Sequence, residues 1–159
     1  MCIRDRLPTV VWQLDDGRPR HHSNGLPGAQ SPRVARTVAL RVTGTPRGLL
    51  TPGIASQIQL HFLNSQREPV AVRRVEIQIT GIVAPQADVL HPCTRTDFRL
   101  RQMPARTLLL PSRVVTDLTG LGVPLRSWPR LKLRNRPGNQ DGCKGAHLTL
   151  GYRVYGGPS

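Results

Sequence analysis

Cys93 and Cys143 lie fifty positions apart, and each has a histidine close by: His91 two positions before the first, His147 four after the second. Those side chains admit three chemistries. Two sulfurs alone form a disulfide in an oxidising compartment, or stay as free thiols in a reducing one. Two sulfurs with two imidazoles could instead complete a tetrahedral zinc set. The spacings are unlike the tight ligand pairs of zinc knuckles, and His147 falls on the polar beat of an alternating run, where a solvated imidazole is the ordinary outcome. Both cysteines sit in segments that alternate apolar and polar residues. The pair reads as one disulfide joining two parts of a β-sandwich, and no metal is expected.

The second cysteine closes the run Asn139-Gln140-Asp141-Gly142-Cys143-Lys144-Gly145. Amide and carboxylate oxygens suit calcium, but a full site needs six or more oxygens and only Asp141 brings charge. A tight turn is the better reading: Asp141 bonding its own backbone, Gly142 taking positive φ, Lys144 solvated beyond it. Trp128, beside Pro129, reads as a core plug near the cystine. No nucleophile elbow, phosphate-cradling glycine loop with lysine or metalloprotease helix signature is present. The nine acidic residues are dispersed, which gives a paired-carboxylate hydrolase no support. His21 and His22 lack any scaffold. The expectation is a protein without catalytic or cofactor-binding residues.

These residues must be positioned by strands. Aromatic content is 4%, with 15 Gly and 15 Pro among 159 residues, so an aliphatic core in many short elements is expected, in one domain. Residues 1–33 have no period and read as lead-in or linker. Met1-Cys2-Ile3-Arg4-Asp5-Arg6 resemble a translated adapter stub of the kind found at the ends of assembled fragments, which places the true amino terminus upstream and removes Cys2 from the chemistry. A domain over 34–155 follows, with 156–159 as a frayed tail.

Within it Val38, Leu40 and Val42 alternate with polar residues, as do Ile58, Leu60 and Phe62, then Phe98 and Leu100, Leu108 and Leu110, Leu131 and Leu133, and Leu148 through Val154. Val70 and Val72 share one parity while Val75, Ile77 and Ile79 take the other, so the strand must slip by one residue near Arg73 and Arg74. About seven strands result, in the pattern of a two-sheet sandwich.

The formal charge of +14, from 23 basic and 9 acidic residues, raises the possibility of a polyanion partner. Nearly all the cations are arginine, a skew that GC-rich coding produces by itself. Arg41, Arg74, Arg99, Arg101, Lys132, Arg134 and Arg153 each occupy the polar beat of a strand, so a solvated sheet face is the first reading and an Arg-rich binder of nucleic acid or anionic wall polymer the second. No run of about 18 apolar residues spans a membrane; attachment would need an anchor upstream of the chain.

Several segments resemble uncharacterised secreted or surface-anchored immunoglobulin-like β-sandwich proteins of high-GC Gram-positive bacteria: Leu60-His61-Phe62-Leu63-Asn64 followed by Pro69-Val70-Ala71-Val72 and Val75-Glu76-Ile77, Pro92-Cys93-Thr94 with Asp97-Phe98, Leu121-Gly122-Val123-Pro124 with Trp128-Pro129, and Asn139 to Ala146 entering Leu148-Thr149-Leu150. The resemblance covers about three-quarters of the chain, which is richer in arginine than that pattern. It implies an all-β, immunoglobulin-like, extracytoplasmic sandwich with one disulfide and no assigned activity. The expected role is adhesion, scaffolding or binding of a protein or envelope polymer through loops or sheet edges.

Overall fold

The computed structural model describes residues 40–158, so the lead-in, Cys2, His21, His22 and Val38 lie outside the described residues. The described chain is all β apart from three short 3-10 turns. Eight strands run in order: β1 (Leu40–Pro46), β2 (Ala55–Asn64), β3 (Val70–Val83), β4 (Phe98–Arg101), β5 (Leu108–Leu110), β6 (Val114–Asp117), β7 (Arg130–Leu133) and β8 (His147–Pro158). They form two sheets. The larger has the order β1-β2-β7-β4, with β6 also paired to β2, and the smaller has the order β5-β3-β8. All these pairings are antiparallel.

The alternation read from the sequence decides which side chains face inward. Ile58, Leu60, Phe62, Leu131 and Leu133 from the larger sheet meet Val72, Ile77, Leu110, Leu148, Leu150 and Tyr152 from the smaller in one buried cluster. The core is aliphatic, as the composition demands, and burial of each large side chain contributes about 1.5–3 kcal/mol.

The parity change in β3 is a register break, and it falls between Val72 and Arg74. A second break lies between Ile79 and Gly81, and the strand continues past Gly81 to Val83. The first extra residue keeps Val70, Val72, Val75 and Ile77 inward; beyond them Ile79 and Ile82 pack partly buried against the core, and Val83 at the strand end is exposed. β8 likewise continues through Gly156 and Gly157, read from sequence as fraying, into a ladder with Val70–Val72. Gly156 makes that possible, because a Cβ there would overlap the Ala71 carbonyl.

Two polar side chains hold the sheets in place. Asn64, fully buried at the end of β2, donates to the carbonyls of Glu68 (3.1 Å), Leu110 (3.3 Å) and Pro111 (2.9 Å) while its oxygen accepts from Gln66 N–H at 3.0 Å. It thereby ties the larger sheet to β5 of the smaller. Gln102 brackets Ile77, accepting from its N–H at 2.9 Å and donating to its carbonyl at 2.8 Å, which satisfies backbone that β5 is too short to reach. Replacing Asn64→Ala strands those buried groups and should lower stability by about 2–3 kcal/mol, read as a lower denaturant midpoint at unchanged m.

Candidate functional site

Two regions gather the residues capable of chemistry. The first is the end of the molecule where the chain passes twice between sheets. β3 leaves the smaller sheet and reaches β4 of the larger through residues 84–97; β7 leaves the larger and returns to β8 of the smaller through residues 134–146. Val83 pairs with His147 and Phe98 with Leu133, and the cystine links the loops between them, so both crossovers start and finish at the same end of the strands. Cys93 and Cys143 are disulfide-bonded there, with their Cα atoms 5.0 Å apart. The bond joins the two crossover loops rather than two strands. Pro92 and the Asn139–Gly142 turn residues break the alternation just before each cysteine, so neither can lie in a ladder.

Around the cystine the loops grip one another at four more contacts. The Gly142 backbone lies so close to the His91 carbonyl that a Cβ would overlap it. Gly142 is thus required for space, and the expectation of positive φ is corrected: Gly145 takes it, at φ 67°. The turn itself is a 3-10 turn, Asp141–Cys143, entered with Asn139 Oδ1 accepting from Asp141 N–H at 2.8 Å. Asn139, not Asp141, makes the side-chain turn. Asp141 instead pairs with Lys144 at 2.6 Å in solvent, which accounts for its lowered pKa.

Asp97, a buried carboxylate, accepts from Thr94 N–H at 2.7 Å and pairs with Arg136 at 3.3 Å. Arg136 also donates to the Thr96 carbonyl at 2.8 Å, and Arg134 N–H to the Asp97 carbonyl at 2.8 Å. This clasp was invisible in the sequence, since nothing local links residues 97 and 136.

The zinc set is not assembled. The candidate ligand group among the described residues is Cys93, Asp97 and Cys143, and both sulfurs are taken by their mutual bond. His91 Nδ1 turns to Asp88 at 3.2 Å. His147 Nδ1 is buried without a partner among the described residues.

Asp88 organises the tip of the first crossover. Its Oδ1 accepts from the N–H groups of Leu90 (2.8 Å) and His91 (2.6 Å), and the His91 carbonyl in turn accepts from Asp88 N–H at 3.3 Å. The tip so held presents Val89 at 97% and Leu90 at 83% exposure. Trp128 is buried as expected, with its indole N–H donating to the Val123 carbonyl at 2.9 Å and Arg47 over its ring at 5.7 Å. Those partners belong to the β6–β7 connection and the loop after β1, not to the cystine.

The second region is the outer face of the larger sheet. Register sets Arg99 opposite Lys132 and Arg101 opposite Arg130 on β4 and β7, and Lys132 next to Ala55 on β2. Long cations around a small residue leave a cleft of about 440 Å³, lined by Ala55, Arg99, Leu100, Arg101, Arg130 and Lys132.

Comparison with protein-family models, with curated proteins and with solved structures gave no match to this chain. No helix among the described residues is long and apolar enough to cross a membrane.

Two outcomes test the loop geometry. Gly142→Ala must push the crossovers apart and should destabilise by about 1–3 kcal/mol, whereas Gly138→Ala, with open space around it, should stay within about 0.5 kcal/mol in the same denaturant titration. The His91 N–H, first among several donors, holds the Asp88 carboxyl below its ordinary range. A depressed carboxyl pKa means the cap is intact above the unfolded value near ~4 and is lost as pH falls through the folded one. The amide resonances of Leu90 and His91 should therefore titrate together in acid, and Asp88→Asn should abolish that step.

Proposed function

We propose that this chain is an immunoglobulin-like module of the extracytoplasmic space, belonging with the secreted or surface-anchored proteins of high-GC Gram-positive bacteria that its motifs resemble, and that it acts without catalysis in adhesion or scaffolding at the cell envelope. The disulfide is compatible with an oxidising compartment. The two-sheet, all-β architecture suits a scaffold whose loops make contacts.

One observation carries the reading. Val89 and Leu90 stand almost wholly in solvent on a loop whose backbone is fixed by Asp88 and whose base is tied by the cystine. Exposed aliphatic side chains on a mobile loop would lose ordering entropy on binding; on a loop fixed in advance that cost is already met by folding. Two adjacent apolar side chains so presented fit an apolar pocket on a protein of the envelope.

The test uses oxidised protein and isolated envelopes of such bacteria. Saturable binding is expected, and the double change Val89→Ser with Leu90→Ser should weaken it by about tenfold or more, since each aliphatic side chain buried is worth about 1.5–3 kcal/mol. Because both positions are exposed, the variant should unfold at the same temperature as the parent. Undiminished binding by the variant would remove the loop from the interface, and no binding by the parent would overturn the envelope reading.

A further inference from the structure

We infer that the cleft between β4 and β7 is a binding site for a flexible linear polymer carrying phosphate groups and no stacked bases. The cleft lies on the outer face of the larger sheet and is independent of the Val89–Leu90 tip.

Register is the first feature that points to an anionic partner. Arg99 faces Lys132 and Arg101 faces Arg130 directly across an antiparallel ladder, where like charges repel and weaken the pairing. Opposite charges at those positions would have strengthened the same sheet. None of the ion pairs among the described residues, which join Arg74 to Glu76, His91 to Asp88, Arg136 to Asp97 and Lys144 to Asp141, relieves any cation of the cleft.

The second is shape and unmet hydrogen bonding. The four cations surround a concavity of about 440 Å³ that exists because Ala55 is small where β2 passes Lys132. Arg130 is steadied by donating to the Arg126 carbonyl at 3.2 Å, and its Nε has no partner among the described residues. A solvated sheet face needs neither a concavity nor an anchored guanidinium.

The third is the kind of anion. Cations two apart on a strand repeat at about 7 Å, which suits a polymer with charge at each repeat rather than one isolated ion. Three guanidiniums and an ammonium approach the cleft from two strands, and tetrahedral phosphate oxygens accept donors from several directions, whereas a planar carboxylate is served by one in-plane fork. Among the described residues no aromatic ring lines the cleft, so they supply no stacking platform of the kind single-stranded nucleic acid sites use.

The experiment measures binding of the oxidised 159-residue chain to a glycerophosphate polymer, to inorganic polyphosphate, to polygalacturonate and to oligo-deoxythymidine, each over a salt series. The glycerophosphate polymer and polyphosphate should bind, with log K falling linearly against log salt, and polygalacturonate and the oligonucleotide should bind at least about fivefold more weakly. The double variant Arg99→Gln with Lys132→Gln should lose about tenfold or more and flatten the salt slope by about 2. A control of equal net charge, Arg73→Gln with Arg153→Gln on the smaller sheet, should change affinity by less than about twofold.

The cleft variant should also unfold at the same or a higher temperature than the parent, because a repulsive cross-strand pair has gone. Equal losses from the cleft and control variants would mean diffuse charge and overturn the site. Tighter binding of the oligonucleotide would overturn the ligand class. Comparable retention of the two phosphate polymers supports the shared phosphate chemistry, and preference for one identifies the source.

Discussion

Two crossings of the chain from one sheet to the other, made side by side and stapled at Cys93 and Cys143, are the constraint on which the rest of this structure depends. The ladders β3–β8 and β4–β7 each close within a single sheet and leave the layers to find their own alignment. Fixing both crossovers at the same end of the strands settles that alignment, because it fixes where the paired strands of each sheet begin and end. Removing the loop-closure freedom of fifty residues from the unfolded chain is worth about 4 kcal/mol on the chain-entropy account, a large part of the net stability of a domain this size. The Asp97–Arg136 clasp and the close approach of Gly142 to the His91 carbonyl add short-range order to that topological tie. At the β2–β3 turn Asn64 reaches from β2 to the Leu110 and Pro111 carbonyls. The molecule is therefore fastened at the crossovers by sulfur and charge, and at that turn by a buried amide, with aliphatic packing between.

From this frame two kinds of surface follow. The crossover loops lie outside the ladders, so their backbone polar groups are satisfied by short turn bonds along the loops and by the side chains of Asp88, Asp97 and Asn139, and the tip held by Asp88 leaves Val89 and Leu90 in solvent. The strands, by contrast, present alternate residues outward at fixed spacing. Where β4 meets β7 the outward residues are all cationic, and the sheet keeps a locally unfavourable arrangement. An arrangement that opposes the fold is more informative about interaction than a favourable one, since stability alone does not select it.

Much of the fold was legible in the sequence because it follows from period-two alternation. Ile58, Leu60 and Phe62, Leu131 and Leu133, and Leu148 to Tyr152 face inward as their spacing requires, and the slip near Arg73 and Arg74 followed from counting parity alone. The pairing of Cys93 with Cys143 was legible from their type within a strand-rich chain, but their place in crossover loops rather than in strands was not. What was not legible depends on three-dimensional neighbours. The like-charge pairs need the register of β4 on β7; Asp97 finds Arg136 only after the chain has crossed between sheets twice; Gly142 is required by a carbonyl more than forty residues away, and no local turn rule reveals that. The continuation of β8 through Gly156 and Gly157 was missed for the same reason, since two glycines read as an end until the Ala71 backbone beside them is known.

The most direct measurement is the unfolding free energy of the oxidised protein set beside that of the Cys93→Ser, Cys143→Ser double variant, with thiol counting of the native parent by alkylation and mass. A closed bond should leave both sulfurs of the native parent unalkylated, and the variant should be less stable by about 4 kcal/mol, within the range of 2–5 kcal/mol common for native disulfides. Alkylation of both sulfurs in native protein prepared under oxidising conditions, or equal stability of parent and variant, would contradict the account.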